Sequence, residues 1–285
     1  MEIKKIAVLG AGLMGHGVAQ VAAQAGFEVS LRDIAENFLD RGMNMITKSL
    51  QKFEEKGKIS EEDKNKVLER IHPTIDLKEA VADADLIIEA VPENADLKKK
   101  MYKDVEKFCP EHAIIVTNTS SISITDLASG TKRPEKFCGM HWFNPAQLMR
   151  LIEVIHGIST SDETIETIVE VSKRMGKEPI VVKKDIPGFV VNRIMDAALN
   201  EALYLVWRGV ISPEEVDKAV TLGLNWPMGP LRLLDYIGLD VSLKIFEVLY
   251  TESGDQKFMP CPLLKHMVKA GLLGRKVGKG FYEWK

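Results

Sequence analysis

Cysteine is scarce in this 285-residue chain, which has only Cys109, Cys138 and Cys261. They are odd in number and widely spaced, with no CxxC pair and no zinc-ligand spacing. That excludes a disulfide framework or a zinc knuckle and suits a reducing compartment. Excess charge of one sign is also missing. The net charge is −3 and the pI is near 6.1, which supplies no reason to expect nucleic acid or a membrane surface as partner. No apolar run reaches the roughly 18 residues that a membrane-spanning helix needs. The opening "MEIKKIAVLGAG" has too short an apolar stretch for a signal peptide and no cleavage pattern. Low-complexity tracts and internal repeats are absent as well. The expectation is a cytoplasmic protein with no metal site. Hydrophobic residues at 45% and charged residues at 28% are enough to bury a core in one large domain or two.

The first half alternates short apolar runs with helical patterns. Strands are expected at 5–10, 27–33, 84–91, 113–118, 136–141, 150–155 and 178–183. Helices are expected at 12–25 and 35–56, with another starting after Ser60 as N-cap. Strands alternating with helices predict a Rossmann-type, doubly wound and mostly parallel α/β sheet. The stretch 35–70 exceeds what a minimal dinucleotide domain requires. It reads as a helical-hairpin insertion, an antiparallel helix pair projecting from the sheet. Beyond "KKDIPGF" the pattern is helical almost throughout, at 188–207, 213–222, 237–250 and 261–270. The boundary therefore falls near residue 185, giving an α/β domain over 1–185 and an all-α C-terminal domain over 186–285.

"LGAGLMGHG" sets Gly10, Gly12 and Gly15 in a GxGxxG turn directly after a strand and before a helix. Such a turn lets backbone approach a pyrophosphate at a helix N-terminus, where unpaired N–H groups and the dipole favour an anion. Alone, the pattern also describes a tight strand–helix turn that binds nothing. Its frame and Asp33 at the end of the next strand favour a dinucleotide. Asp33 would bind the adenine ribose hydroxyls and repel a 2′-phosphate, favouring NAD over NADP, although the adjacent Arg32 could accept that phosphate. Flavin proteins share the fingerprint, so hydride chemistry needs an acid–base group as well.

Among six histidines, His141 stands out. It closes a strand, where the active sites of such sheets gather, and "WFNP" turns the chain just after it. Histidine can take or return a hydroxyl proton near neutral pH. Glu153 lies twelve residues on, inside the apolar run "LIEVI", enough for a loop and a return into an adjoining strand. A glutamate beside an imidazole fixes its tautomer and stabilises the imidazolium. The plainer reading is an edge-strand glutamate. In "VTNTSSIS", Ser120 ends a strand where a hydroxyl can reach a substrate oxygen, Asn118 turns the chain, and Ser121 or Ser123 can cap the following helix. Asn192 opens the helix after "PGFVV"; asparagine is a poor interior helix residue and is expected to be exposed or functional.

The strings "GAGLMG", "NTSS", "HWFNP", "LIEVI", "PGFVVNR", "NWPMGPLRLLDYIGLD" and "GLLGRKVGKGFYEWK" together resemble the L-3-hydroxyacyl-CoA dehydrogenases, in order over nearly the whole chain. The likeness is greatest to the short bacterial 3-hydroxybutyryl-CoA dehydrogenases. The resemblance implies reversible, NAD-dependent oxidation of (S)-3-hydroxybutyryl-CoA or related 3-hydroxyacyl-CoA to the 3-ketoacyl thioester, in fatty acid or butanoate metabolism. It implies His141 as general base paired with Glu153, and Ser120 and Asn192 at the reacting oxygen and thioester. NAD would be held by Gly10, Gly12, Leu13, Met14, Gly15, Asp33, Glu93, Lys98, Ser120, Asn144 and Lys276. The coenzyme A phosphates would meet Ser49, Lys52 and Lys56 on the insertion, where a solvated helix face is the competing reading. A homodimer through the helical domain is implied by analogy, and the stretch "ALNEALYLVWRGV" fits either a dimer seam or a core helix. No attached hydratase segment is expected, so the substrate would be a free CoA ester.

The chain departs from the family pattern at three places. "HWFNP" replaces "HFFNP", "MRLIEV" replaces "MKLVEV", and the approach to "PGF" is one residue longer. None touches a proposed catalytic group. The β-hydroxyacid dehydrogenases share "GLMG" but rely on a lysine after a glycine-rich segment, where this chain reads "PGFVVNR". A reuse of the fold without catalysis, as in a lens protein or a nucleotide-binding pseudo-enzyme, conflicts with the complete set Ser120, His141, Glu153 and Asn192.

Overall fold

A computed structural model describes residues 2–284. The chain divides into two compact units, Met1–Asp185 and Ile186–Lys285.

The first unit is built on β1 (Lys5–Leu9), β2 (Glu28–Arg32), β3 (Ile71–Thr74), β4 (Leu86–Glu89), β5 (Ile114–Thr117), β6 (Phe137–Trp142), β7 (Leu151–His156) and β8 (Glu178–Val182). They form one eight-stranded sheet in the order β3-β2-β1-β4-β5-β6-β7-β8. Every pair is parallel except β6–β7, which is antiparallel. Strands are added in one direction from β1 to β3 and in the opposite direction from β4 onward, so a crevice opens at the carboxyl ends of β1 and β4, the usual ligand position in such sheets. The central strands are buried on both faces over near-continuous apolar runs, as in "IAVL" of β1 and "LII" of β4. The sheet is flanked by α1 (Gly15–Gln24), α2 (Glu36–Glu55), α3 (Glu61–Glu69), α4 (Leu77–Val81), α5 (Ala95–Val105), α6 (Ile124–Ala128) and α7 (Asp162–Arg174).

Two features of this unit differ from the sequence-based expectation. β3 was not anticipated, because "IHPT" is short and contains Pro73, which central strands do not tolerate. It sits at the sheet edge, paired only with β2. The helical insertion does not simply project. Leu39, Ile46 and Leu50 of α2 and Val67 of α3 are buried in the main core beside Val18 and Ala22 of α1. Ser60 caps α3 as its position predicts, accepting the Asp63 N–H at 3.0 Å while Asp63 returns the bond to the Ser60 backbone.

The second unit contains α8 (Val191–Trp207), α9 (Pro213–Gly223), α10 (Pro230–Ile237), α11 (Leu239–Ser253) and α12 (Pro262–Lys269). A separate α10 was not expected. It ends at Gly238, whose φ of 105° breaks the helical path before α11 begins. Two buried aspartates organise this unit. Asp217 accepts the Leu231 and Arg232 N–H groups and the Tyr282 hydroxyl. Asp235 accepts the Phe281 and Tyr282 N–H groups and the Trp284 indole N–H. The C-terminal string "GKGFYEW" is thereby fastened to α9 and α10.

Candidate active site

A cleft of about 740 Å³ lies at the carboxyl ends of β1, β2, β4 and β5. Its wall includes Gly10, Gly12, Leu13, Met14, Arg32, Asp33, Glu93, Asn118 and Ser120. The glycine turn explains its own sequence. Gly10 has φ 107°, and a Cβ there would lie 2.6 Å from the Ala90 carbonyl oxygen. A Cβ on Gly15 would lie 1.7 Å from the Gly10 carbonyl oxygen. Gly12 differs: a Cβ there would meet nothing within 4 Å. Its bareness serves no packing within the chain and leaves room for a group to approach the backbone ahead of α1. Asp33 Oδ2 accepts the Ala11 N–H and Oδ1 the Ile34 N–H, both at 2.7 Å, which fixes the carboxylate at the end of β2 beside the turn. A bare backbone turn at a helix N-terminus and an anchored carboxylate one strand away fit the pyrophosphate and adenine ribose of a dinucleotide.

His141 and Glu153 are directly opposite residues of the antiparallel pair β6–β7. The Nδ1–H of His141 donates to Glu153 Oε2 at 2.7 Å. Glu153 is fully buried and His141 is 5% exposed. With the proton on Nδ1, the lone pair of the neutral ring is on Nε2. The Phe143 ring lies 4.6 Å from the imidazole, centre to centre. Asn118, at the end of β5, accepts the Trp142 N–H at 2.8 Å and so ties the Ser120 segment to the end of β6. A buried imidazole held by a carboxylate can shuttle a proton, because the carboxylate stabilises the imidazolium.

Glu93 Oε1 accepts from the Ser120 N–H at 3.0 Å, the Ser121 N–H at 3.3 Å and the hydroxyls of Thr119 and Ser121. Burial pushes its pKa up. The Lys98 ammonium and the Thr119 and Ser120 donors outweigh that and hold the carboxyl below its usual range. Lys98 is 1% exposed and lies behind the cleft wall, paired with Glu89 and Glu93. Ser123 caps α6, accepting the Asp126 N–H, whereas Ser121 is held by Glu93.

The other expected positions lie elsewhere. Asn144 is exposed just beyond β6. Ser49 is half-buried on α2, with Lys52 exposed on the same helix and Lys56 exposed at its C-cap. In the second unit Asn192 is half-buried in the first turn of α8, and exposed Lys276 is paired with Asp240 at 2.7 Å. The remaining histidines have structural partners or none of note: His16 Nδ1 bonds the Gly12 carbonyl, His72 pairs with Glu28, His112 with Asp85, and His266 stacks edge-on against Trp207. Among the described residues no cluster of acidic, histidine or cysteine side chains is arranged to hold a metal, and no helix is long and apolar enough to cross a membrane.

Two residues of the site were not anticipated. Glu89 stands in the apolar run "LIIEA", the same signal that marked Glu153. Lys177 is buried and donates to the carbonyls of Ala146 and Met149 at 2.7 Å, clamping the loop after β6; no sequence signal distinguishes it from a surface lysine.

Residues 5–186 match the family model "3-hydroxyacyl-CoA dehydrogenase, NAD binding domain", and residues 188–284 match the corresponding C-terminal domain. The chain is 50% identical over 280 residues to a probable 3-hydroxybutyryl-CoA dehydrogenase of Deinococcus radiodurans, covering 98% of this chain and all of that protein. It is 46% identical to the 3-hydroxybutyryl-CoA dehydrogenase of Clostridioides difficile, covering 98% and 99%. The crystal structure of (S)-3-hydroxybutyryl-CoA dehydrogenase from Ralstonia eutropha superposes with a TM-score of 0.97 at 45% identity, covering both chains completely.

Proposed function

The chain belongs to the 3-hydroxyacyl-CoA dehydrogenase family, and from that premise we propose that His141 is the general base of its reaction, with Glu153 as its partner. The activity itself is that of an NAD-dependent 3-hydroxyacyl-CoA dehydrogenase of the 3-hydroxybutyryl-CoA kind. The nicotinamide cofactor, when bound, supplies the hydride acceptor. Gly10, Gly12, Leu13, Met14 and Gly15 hold its pyrophosphate at the N-terminus of α1, and Asp33 holds the adenine ribose. A carboxylate at that position repels a 2′-phosphate, which favours NAD over NADP.

His141 takes the substrate hydroxyl proton on Nε2 as the C3 hydrogen leaves with its electron pair. Glu153 stabilises the imidazolium so formed, and in reduction the imidazolium returns the proton to the forming alkoxide. Ser120 donates to the reacting oxygen, where charge develops. For Asn192 at the thioester, for Glu93, Lys98, Asn144 and Lys276 toward the cofactor, and for Ser49, Lys52 and Lys56 toward the coenzyme A phosphates, the reading rests on the family motifs. A cytoplasmic homodimer joined through the helical unit, acting in fatty acid or butanoate metabolism, completes it.

The observation that carries this reading is the 2.7 Å bond between His141 Nδ1 and the buried Glu153 carboxylate. The test is reduction of acetoacetyl-CoA, followed by loss of NADH absorbance. The wild type is expected to turn over and His141→Gln to lose about 10²–10⁴-fold in kcat, the range general acid–base catalysis contributes. Near-normal turnover of His141→Gln would sink the assignment.

A further inference from the structure

β4 ends in a carboxylate with no place in the mechanism above. Glu89 is fully buried, on the strand next to β1, where the strand order reverses. It accepts from the Val91 N–H, the Tyr102 hydroxyl and the Thr117 hydroxyl at 2.7–2.8 Å. Lys98 donates to both its oxygens, at 2.7 and 2.8 Å. The same ammonium reaches Glu93 Oε2 at 3.2 Å, and Glu93 Oε1 holds the Ser120 and Ser121 N–H groups. One buried cation is thus shared by two carboxylates of unequal exposure. Lys98 lies closer to the fully buried Glu89 than to Glu93, whose side chain is 37% exposed at the cleft.

We propose that Glu89 is a positioning residue for the dehydrogenase reaction, holding the Lys98 ammonium behind Glu93 so that Glu93 fixes the backbone of Ser120. This rests on the reading of Ser120 as the donor to the reacting oxygen. The physical reason is the sharing of Lys98. A charged Glu89 keeps the ammonium back at the sheet. Without that charge Lys98 moves fully onto Glu93, draws its carboxylate inward, and loosens the bonds that hold the serine segment. Any buried carboxylate needs a counterion; what links Glu89 to the cleft wall is that its counterion also reaches Glu93.

Glu89→Gln keeps the size and an acceptor oxygen and removes the charge. Hydrogen exchange of the Ser120 and Ser121 amides in the protein without added cofactor is expected to speed up by about tenfold, since those two amides lose the Glu93 acceptor. The kcat for acetoacetyl-CoA reduction is expected to fall about tenfold, as a displaced hydroxyl costs orientation. In a Ser120→Ala background the same change is expected to alter kcat by less than about twofold, because the effect runs through Ser120. Unchanged exchange, a kcat within about twofold of wild type, or a tenfold loss that persists without the serine hydroxyl would each overturn the proposal. If Glu89→Gln does not accumulate folded, Glu89→Asp keeps the charge that holds Lys98 back, so exchange of the Ser120 and Ser121 amides and kcat are expected within about threefold of wild type, and a tenfold change in either would overturn the proposal. An inactive wild type would defeat the reading of the site, and the proposal with it. An active wild type with Glu89 uncoupled from Ser120 would defeat the proposal alone.

Discussion

Glu153 faces His141 across the β6–β7 pair, and its Oε2 accepts the His141 Nδ1–H at 2.7 Å with both side chains buried. In such a site the effective dielectric is well below that of water, so the carboxylate charge acts strongly on the imidazole. Glu153→Gln keeps an acceptor and loses the charge. Its kcat for acetoacetyl-CoA reduction is expected to fall about 10–100-fold, less than for His141→Gln, with NADH affinity by fluorescence titration within about threefold of wild type. Full kcat in Glu153→Gln would reduce the carboxylate to a packing role.

Asp33 is anchored by the Ala11 and Ile34 N–H groups, and Arg32 lines the same cleft. Asp33→Ser removes the charge that opposes a 2′-phosphate and leaves Arg32 to receive one. The ratio of kcat/KM with NADPH to that with NADH is expected to rise about tenfold or more. An unmoved ratio would show that Asp33 does not set cofactor choice.

Asp196 on α8 is 3% exposed, and its Oδ2 has no hydrogen-bond partner among the described residues. Burial pushes its pKa up to about 7. The folded state therefore binds this proton more tightly than the unfolded chain. Stability from this group is fully present below about pH 4 and is lost as pH rises to about 7, by up to about 4 kcal/mol. Asp196→Asn is expected to raise Tm by about 2–6 °C at pH 8 and by clearly less at pH 5. An equal gain at both values would mean that Asp196 does not titrate with folding.

Asp235 is fully buried and accepts three N–H groups from the C-terminal segment. Asp235→Ala strands those donors in the core of the second unit. The expected cost is about 2–4 kcal/mol in urea unfolding, together with faster proteolytic release of the last residues. A change below about 0.5 kcal/mol would mean that the segment is held by packing alone.

Much of this was legible because the signals are local. The glycine turn declares itself through spacing: Gly10 and Gly15 have no room for a side chain and Gly12 has no neighbour to need one. His141 and Glu153 were legible as a pair because two short strands joined by a loop of fixed length bring them opposite one another. The boundary between the units falls after residue 185, where alternation of strand and helix gives way to helix alone.

What escaped was non-local. β3 has almost no strand signal of its own and exists because β2 offers it an edge. Glu89 carried the same signal as Glu153, an acid inside an apolar run, but its counterion comes from a helix. By charge alone Lys98, Lys99 and Lys100 are three equal cations, and the family resemblance marks Lys98 for the cofactor, not for burial. The buried positions of α5, which are Lys98, Met101, Tyr102 and Val105, follow one helical face, and only the docking of that face against β4 and β5 selects Lys98 as the buried cation. Sequence alone thus determined the order of elements and the chemistry carried by the local motifs, because helix and strand periods and short loops are set by neighbouring residues. Which strands lie side by side, and which of several like charges is desolvated between two carboxylates, only the tertiary structure decided, because strand order and burial depend on contacts between residues far apart in the chain.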